Sequence, residues 1–302
     1  MKIIGIIVLT LVVCCCNFKN DGTNQLEGQN LKGEIKSVHD LTYKAVEKFG
    51  EITKGEREDG GLNNTFSLYN KNGNREEFIL YDEYDTIIQK YIYKYNDTDK
   101  LIEQIYILGK KTVSKTVCKY NDNDKSKESI TYNVNGEILD KTISKYDNKE
   151  NLIEIDYYNS QGDLNAKTKY KYDKRGNNIE YVAYNSDGNL NFRQLYKYDT
   201  KSNVIEEISY DLNGNITGTT FYEYDNSNFK ILDKHILPDG KIDSHQTFKY
   251  DKNGYIIEWN WNSLALKVYK YEYDKKSNWV KQISYLNEMP ESICERKIEY
   301  YK

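Results

Sequence analysis

From about residue 65 onward, apolar and polar side chains alternate in short runs, broken by stretches rich in Asn, Asp and Gly. A period of two predicts half-buried β-strands, and the breaks predict turns. The runs repeat. Tyr170-Lys171-Tyr172-Asp173, followed by Gly176, returns as Tyr196-Lys197-Tyr198-Asp199, Tyr222-Glu223-Tyr224-Asp225 and Phe248-Lys249-Tyr250-Asp251, with the aspartates 26 residues apart. Upstream, Asp147, Asn121, Asn96 and Asn70 hold that place, and Asp274 follows after a shortened step of 23 residues. A second turn, Tyr-Asn/Asp-x-x-Gly, lies between, at Tyr132 to Gly136, Tyr158 to Gly162, Tyr184 to Gly188 and Tyr210 to Gly214. Each repeat therefore reads strand, turn, strand, turn.

Charge placement predicts the register. Centring the turn between Arg175 and Gly176 opposes Tyr172 to Ile179, Tyr170 to Tyr181 and Lys171 to Glu180. The Lys–Glu spacing of nine recurs at Lys94/Glu103, Lys119/Glu128, Lys145/Glu154, Lys197/Glu206 and Lys249/Glu258, and it returns reversed as Glu272/Lys281. Only Glu223, opposite Leu232, departs from it. Direct cross-strand opposition explains a reversal that keeps opposite charges together, and such pairs reject slipped registers. Alternation then puts Tyr170, Tyr172, Ile179, Tyr181, Phe192, Tyr196, Tyr198 and Ile205 on one face, with the Lys–Glu pairs near one end of the other and Val182, Leu195, Ile208 and Phe221 nearer its far end. About twenty strands spaced by about 4.8 Å make a sheet about 95 Å wide, which must curl. The expected fold is all-β: a long antiparallel β-hairpin repeat meander, curled into an open shell or solenoid-like sheet with the Tyr face concave. Residues 31–64 fit the repeat poorly and are expected to cap an exposed edge. Within them Leu31 to Val38 alternates like a strand, and Tyr43 to Phe49 suits a short helix or more strand.

Composition sharpens this picture. Tyr supplies 30 residues and Pro only 2, as befits half-exposed strands with intact ladders. A net charge of −4 gives no basic surface for nucleic acid. At the N-terminus, Met1-Lys2 precedes an apolar run from Ile3 to Val13, long enough for a signal peptide and too short to span a bilayer. The run ends at Cys14-Cys15-Cys16, a placement that resembles the lipobox of bacterial lipoproteins. That resemblance implies lipidation of one of Cys14, Cys15 or Cys16 and membrane attachment through the lipid. The small residue the family prefers before its Cys is absent, and an ordinary secretory signal remains the alternative. Residues 1–16 are thus read as signal and lipobox, 17–30 as a flexible tether, 31–64 as the cap and 65–302 as repeats. Cys118 and Cys294 are read as unrelated buried thiols.

The Tyr-x-Tyr-Asp-x-x-Gly-Asn pattern at Tyr170 to Asn177 resembles the YD-repeat (Rhs-type) family over about residues 65–302. The resemblance implies a bacterial surface or secreted protein whose repeats build a spiralling β-shell. In that family some shells enclose a toxin domain and others are thought to bind carbohydrate. The 26-residue period is longer than the usual YD repeat, and no toxin-like segment follows the repeats here.

Candidate chemistry is sparse. Nucleophile-elbow, zinc-protease and phosphate-loop signatures are absent. His39, His235 and His245 stand apart in sequence and read as structural. Asp122-Asn123-Asp124 and Asp211 to Gly214 read as turns, since they lack the length and distal Glu of a calcium loop. Trp259 and Trp261 occupy the repeat positions of Tyr181 and Ala183. They are expected on the Tyr face, where with Tyr181 and Tyr196 they would stack on sugar rings or simply fill space. No cofactor or metal is expected. The leading function is a lipid-anchored envelope protein, at the outer membrane or cell surface, whose sheet binds carbohydrate or a protein partner. A spacer lipoprotein with only protein contacts is the alternative, and a hydrolase without a recognisable motif is more distant.

Overall fold

The computed structural model describes residues 30–58, 64–121 and 125–302. Cys14, Cys15, Cys16, most of the tether and Asp122 to Asp124 lie outside these residues. The described chain forms twenty-one strands: β1 (Ile35–Lys48), β2 (Glu51–Arg57), β3 (Thr65–Tyr69), β4 (Arg75–Tyr81), β5 (Ile87–Tyr95), β6 (Leu101–Leu108), β7 (Lys111–Tyr120), β8 (Ser126–Asn133), β9 (Ile138–Tyr146), β10 (Leu152–Tyr158) and β11 (Leu164–Tyr172). They continue as β12 (Asn178–Asn185), β13 (Leu190–Tyr198), β14 (Val204–Tyr210), β15 (Ile216–Tyr224), β16 (Lys230–Ile236), β17 (Ile242–Tyr250), β18 (Ile256–Trp261), β19 (Ala265–Tyr273), β20 (Trp279–Leu286) and β21 (Met289–Tyr300). The segment Tyr43 to Lys48, for which a short helix was one expectation, continues β1.

From β3 onward each strand pairs antiparallel with the next. The turns that follow the Tyr-x-Tyr runs share one design. At Asp173, the backbone N–H of Gly176 donates to the Asp173 carbonyl at 3.1 Å, and the N–H of Asp173 donates to the Asn177 carbonyl at 2.9 Å. Gly176 sits at a φ of 86°. This is a type I turn followed by a left-handed residue, which adds a bulge. The Asp173 carboxylate caps the loop, accepting from the backbone N–H groups of Arg175 at 2.8 Å and Asn177 at 2.9 Å. Asp147, Asp199, Asp225, Asp251 and Asp274 cap their turns in the same way. That is why the repeat holds Asp or Asn there.

The bulge corrects one expected pair: Tyr172 opposes Asn178, not Ile179. The rest of that register stands, with Lys171 opposite Glu180 and Tyr170 opposite Tyr181. Every other predicted pair, Glu223 with Leu232 included, is also a cross-strand pair. The charges extend beyond single hairpins, because a Glu collects cations from both neighbouring strands. Glu103 meets Lys94 at 2.7 Å and Lys115 at 2.6 Å, and Glu180 meets Lys171 at 2.5 Å and Arg193 at 2.6 Å. Hydrogen bonds from Lys115 and Lys94 hold the Glu103 carboxyl below its usual range. Burial pushes the Glu180 carboxyl up, but bonds from Lys171 and Arg193 outweigh it and leave it lowered.

The repeat strands close on themselves where the open shell expected two free edges. β1 lies between the two ends of the array: Val38 opposes Ile298 of β21 on one side and Ser67 of β3 on the other. All strands but β2 therefore form one ring of twenty, a closed barrel. β2 folds back on the end of β1, with Val46 opposite Thr53. The physical reason is edge satisfaction. Residues assigned to a cap instead supply the missing strand, and apolar packing gathers around this join. Leu31, Ile35, Val38 and Tyr69 pack with Ile298 and Tyr300, while Tyr255, Trp279 and Cys294 pack with Tyr271 and Tyr273. Cys118 and Cys294 are buried free thiols.

Candidate functional site in the barrel lumen

The two faces of the wall differ in size and charge. The Tyr face alternates aromatic rings with small side chains. At intervals around the wall it carries Thr116 opposite Thr131, Thr168 opposite Ala183, and Ser209 opposite Gly218. Small residues suit the crowded concave side of a closed sheet. The phenols of this side are desolvated. Burial pushes the phenols of Tyr93, Tyr157, Tyr170 and Tyr222 up, and those of Tyr95, Tyr172 and Tyr271 up to about 12. The Tyr face lines the lumen and the Lys–Glu network faces out.

Twenty strands about 4.8 Å apart, tilted by about 40°, enclose a ring about 40 Å across from backbone to backbone. The main strand contacts among the described residues run between ring neighbours, with β2 lying against β1 and β21. The lumen residues remain mostly half-buried, as expected for a wall wetted from within. Rings form chains along this wall. Tyr91 and Tyr106 stack at 4.9 Å, Tyr170 lies 5.4 Å from Tyr181, and Tyr181 lies 6.2 Å from Phe192. Neutral hydrogen-bonding groups lie between them. Gln194 accepts from the Tyr196 hydroxyl at 2.8 Å, and Gln246 accepts from the Trp259 indole N–H at 2.9 Å.

The four ring residues singled out from sequence all face the lumen, in two separate places. Tyr181 lies opposite Gln194, beside Tyr196. Trp259 and Trp261 lie on β18, opposite Phe248 and Gln246, five strands from β13. Trp261 is 50% exposed at the mouth formed by the Tyr-Asn-x-x-Gly turns, next to the exposed Leu264. The histidines do not converge. His235 faces the lumen, bonded to the Thr220 hydroxyl at 3.0 Å. His245 projects to the other face, opposite Lys234, and His39 lies at the join opposite Lys297. Among the described residues no group of three metal-ligating side chains comes together.

Two features escaped the sequence reading. The last Tyr of several repeats donates its hydroxyl to a backbone carbonyl at the start of the preceding strand: Tyr172 to Leu152 at 2.7 Å, Tyr224 to Val204 at 2.9 Å and Tyr250 to Lys230 at 2.8 Å. Tyr rather than Phe recurs there because the bond needs a phenol hydroxyl to donate. The second feature is a pair of lumen carboxylates, Glu207 and Asp233. They occupy the repeat position of Tyr181 and Trp259. Comparing that position across repeats exposes them, whereas reading the consensus conceals them.

No known protein family matches the sequence, and no curated protein matches it. The fold has distant likenesses among solved structures. A porin-like protein from Bacteroides uniformis ATCC 8492 is 9% identical with a TM-score of 0.37, the match covering 88% of this chain and 96% of that one. A porin-like protein from Bacteroides vulgatus ATCC 8482 is 12% identical with a TM-score of 0.27, over 72% and 95%. The TcdB2-TccC3-Cdc42 structure is 12% identical with a TM-score of 0.32, over 78% of this chain and 16% of that chain. Likenesses this distant carry over no function.

Proposed function

We propose that this chain is an exported, lipid-anchored envelope protein whose barrel lumen binds carbohydrate. The supporting observation is the division of chemistry across the wall: most of the rings, with amides and hydroxyls between them, lie inside, and the Lys–Glu network lies outside. Sugar rings present C–H faces that pack on Tyr and Trp, and their hydroxyls pair with neutral donors and acceptors such as Gln194 and Gln246. A filled interior would favour the spacer reading, and the half-buried lumen favours a ligand.

Neither face offers the outward apolar band, about 25 Å tall, of a bilayer-spanning barrel. On one face the Lys–Glu network interrupts Val182, Leu195, Ile208 and Phe221, and the other carries Gln, Ser, Thr and Glu207 among its rings. Among the described residues no helix is long and apolar enough to cross a membrane. Attachment is assigned to the N-terminal lipid on the resemblance of Cys14-Cys15-Cys16 to a lipobox. The chain enters the barrel at the mouth formed by the Asp-capped turns. There Asn30 donates to the Asn253 carbonyl at 3.0 Å, the Tyr255 hydroxyl donates to the Asn30 carbonyl at 2.9 Å, and the Lys32 N–H donates to Asn278 at 2.8 Å. With the anchor at Cys14, Cys15 or Cys16, the tether joins the barrel at this mouth, opposite the Trp261 mouth.

A glycan array, followed by titration of the best ligand, tests the lumen. Trp259→Ala/Trp261→Ala is expected to weaken binding by about tenfold or more, equivalent to about 1.4 kcal/mol. Absence of any glycan binding by protein with a β-sheet circular dichroism spectrum contradicts the proposal, as does binding that the double variant leaves unchanged.

A further inference from the structure

The repeat supplies its own control for finding a specialised site. The lumen position held by Ile155, Tyr181 and Trp259 in other repeats is acidic in two successive repeats, as Glu207 and Asp233. Glu207 lies on β14 opposite Thr220, and Asp233 lies on β16 opposite Tyr222. The two acids therefore flank β15 on the same face.

They are not equivalent. Asp233 already holds an ammonium, Lys230 Nζ at 2.8 Å. Glu207 receives only neutral donors, Gln194 Nε2 at 2.5 Å and the Tyr222 hydroxyl at 3.1 Å. Tyr196 in turn donates to Gln194, so amide, phenols and carboxylate form one connected patch. Burial, with the nearby Asp233 charge, pushes the Glu207 carboxyl up, against the Tyr222 bond and the His235 imidazole that pull it down. An incoming cation would relieve that desolvation. The rings beside it accept cations, since Lys230 Nζ lies 5.2 Å from the centroid of Tyr222 and 5.4 Å from that of Phe248. A carboxylate with no ion-pair partner among the described residues, next to aromatic faces that already carry a cation, is complementary to an ammonium group on a ring-shaped ligand.

We infer that the lumen wall over β13 to β16 is a subsite for an amino sugar, in which Glu207 pairs with the protonated amine while Gln194, Tyr196 and Tyr222 hold the ring. This rests on the carbohydrate reading of the lumen and names the class of sugar. Both charge and shape enter: a neutral or N-acetylated sugar fits the rings but leaves Glu207 unpaired.

The test compares two probes by titration calorimetry on the full chain at about pH 6, where a free amino group carries its proton: a glucosamine hexamer and an N-acetylglucosamine hexamer. The glucosamine hexamer is expected to bind about tenfold tighter or more, and Glu207→Gln is expected to erase that preference. Glu206→Gln is the control. Glu206 is the next residue along, faces outward and pairs with Lys197 at 2.9 Å, so the preference should survive its replacement. Equal binding of the two hexamers, with Trp259-dependent affinity for the acetylated one, overturns the subsite and leaves the lumen reading intact. A preference that persists in Glu207→Gln also overturns it. If the folded protein binds neither hexamer, the subsite falls, and the glycan array then decides the lumen reading separately.

Discussion

Arg296→Met is expected to destabilise the barrel by about 3–5 kcal/mol, the usual cost of removing one partner from a buried ion pair. Arg296 projects from β21 on the lumen side of the join. Its Nε and Nη2 donate to the two oxygens of Asp40 on β1 at 2.7 and 2.6 Å. Its guanidinium also lies 3.6 Å from the ring centroid of Trp279. The two side chains are only 11% and 17% exposed, so loss of the arginine strands the Asp40 charge where water screens it poorly. The pair bridges the first strand and the last, where a local loss is a loss of closure. Replacing both members, as Asp40→Leu/Arg296→Met, is expected to recover most of the stability, because the cost lies in the orphaned charge. Urea unfolding followed by circular dichroism measures both variants. A single variant within about 1 kcal/mol of wild type would show that the pair does not hold the join.

The next largest effect is expected at Gly218, a glycine in the interior of β15 that is not in the left-handed region. A Cβ there would lie 2.3 Å from Cε1 and 2.6 Å from Nε2 of His235. The imidazole occupies the space a side chain would take, while its Nδ1 pairs with Thr220. Gly218→Val must expel the ring or shift the strand, and is expected to cost about 1–3 kcal/mol as overpacking. His235→Ala in the same chain should recover most of that loss, because it vacates the space. If the double variant is no more stable than Gly218→Val alone, the ring is not the obstacle.

Much of the wall was legible in the sequence because its determinants are local and repeated. The Lys171–Glu180 spacing and its copies established which residues oppose, and the Asp173-type caps located the turns. The bulge was not legible, because an Asp-x-x-Gly loop serves a two-residue or a three-residue turn equally well until the left-handed φ of Gly176 is known. Closure escaped for a different reason. It depends on Ile35 to Lys44 matching β21, more than 240 residues away, and nothing near either segment announces the other. The ring residues Trp259 and Trp261 stood out as substitutions of the repeat. Glu207 and Asp233 were substitutions of the same kind, but polar residues in a strand look ordinary until the strand's faces are assigned.

Closure is the claim on which the lumen and any ligand in it depend. Thr42 on β1 is the direct cross-strand partner of Cys294 on β21, so Thr42→Cys places two thiols opposite each other across the join. We would refold this variant in a thiol–disulfide redox buffer and map its peptides by mass spectrometry. A closed barrel predicts an intramolecular disulfide joining positions 42 and 294. In an open sheet about 95 Å wide the same positions lie at opposite ends, and two free thiols, or dimers linked through position 42, would contradict the barrel.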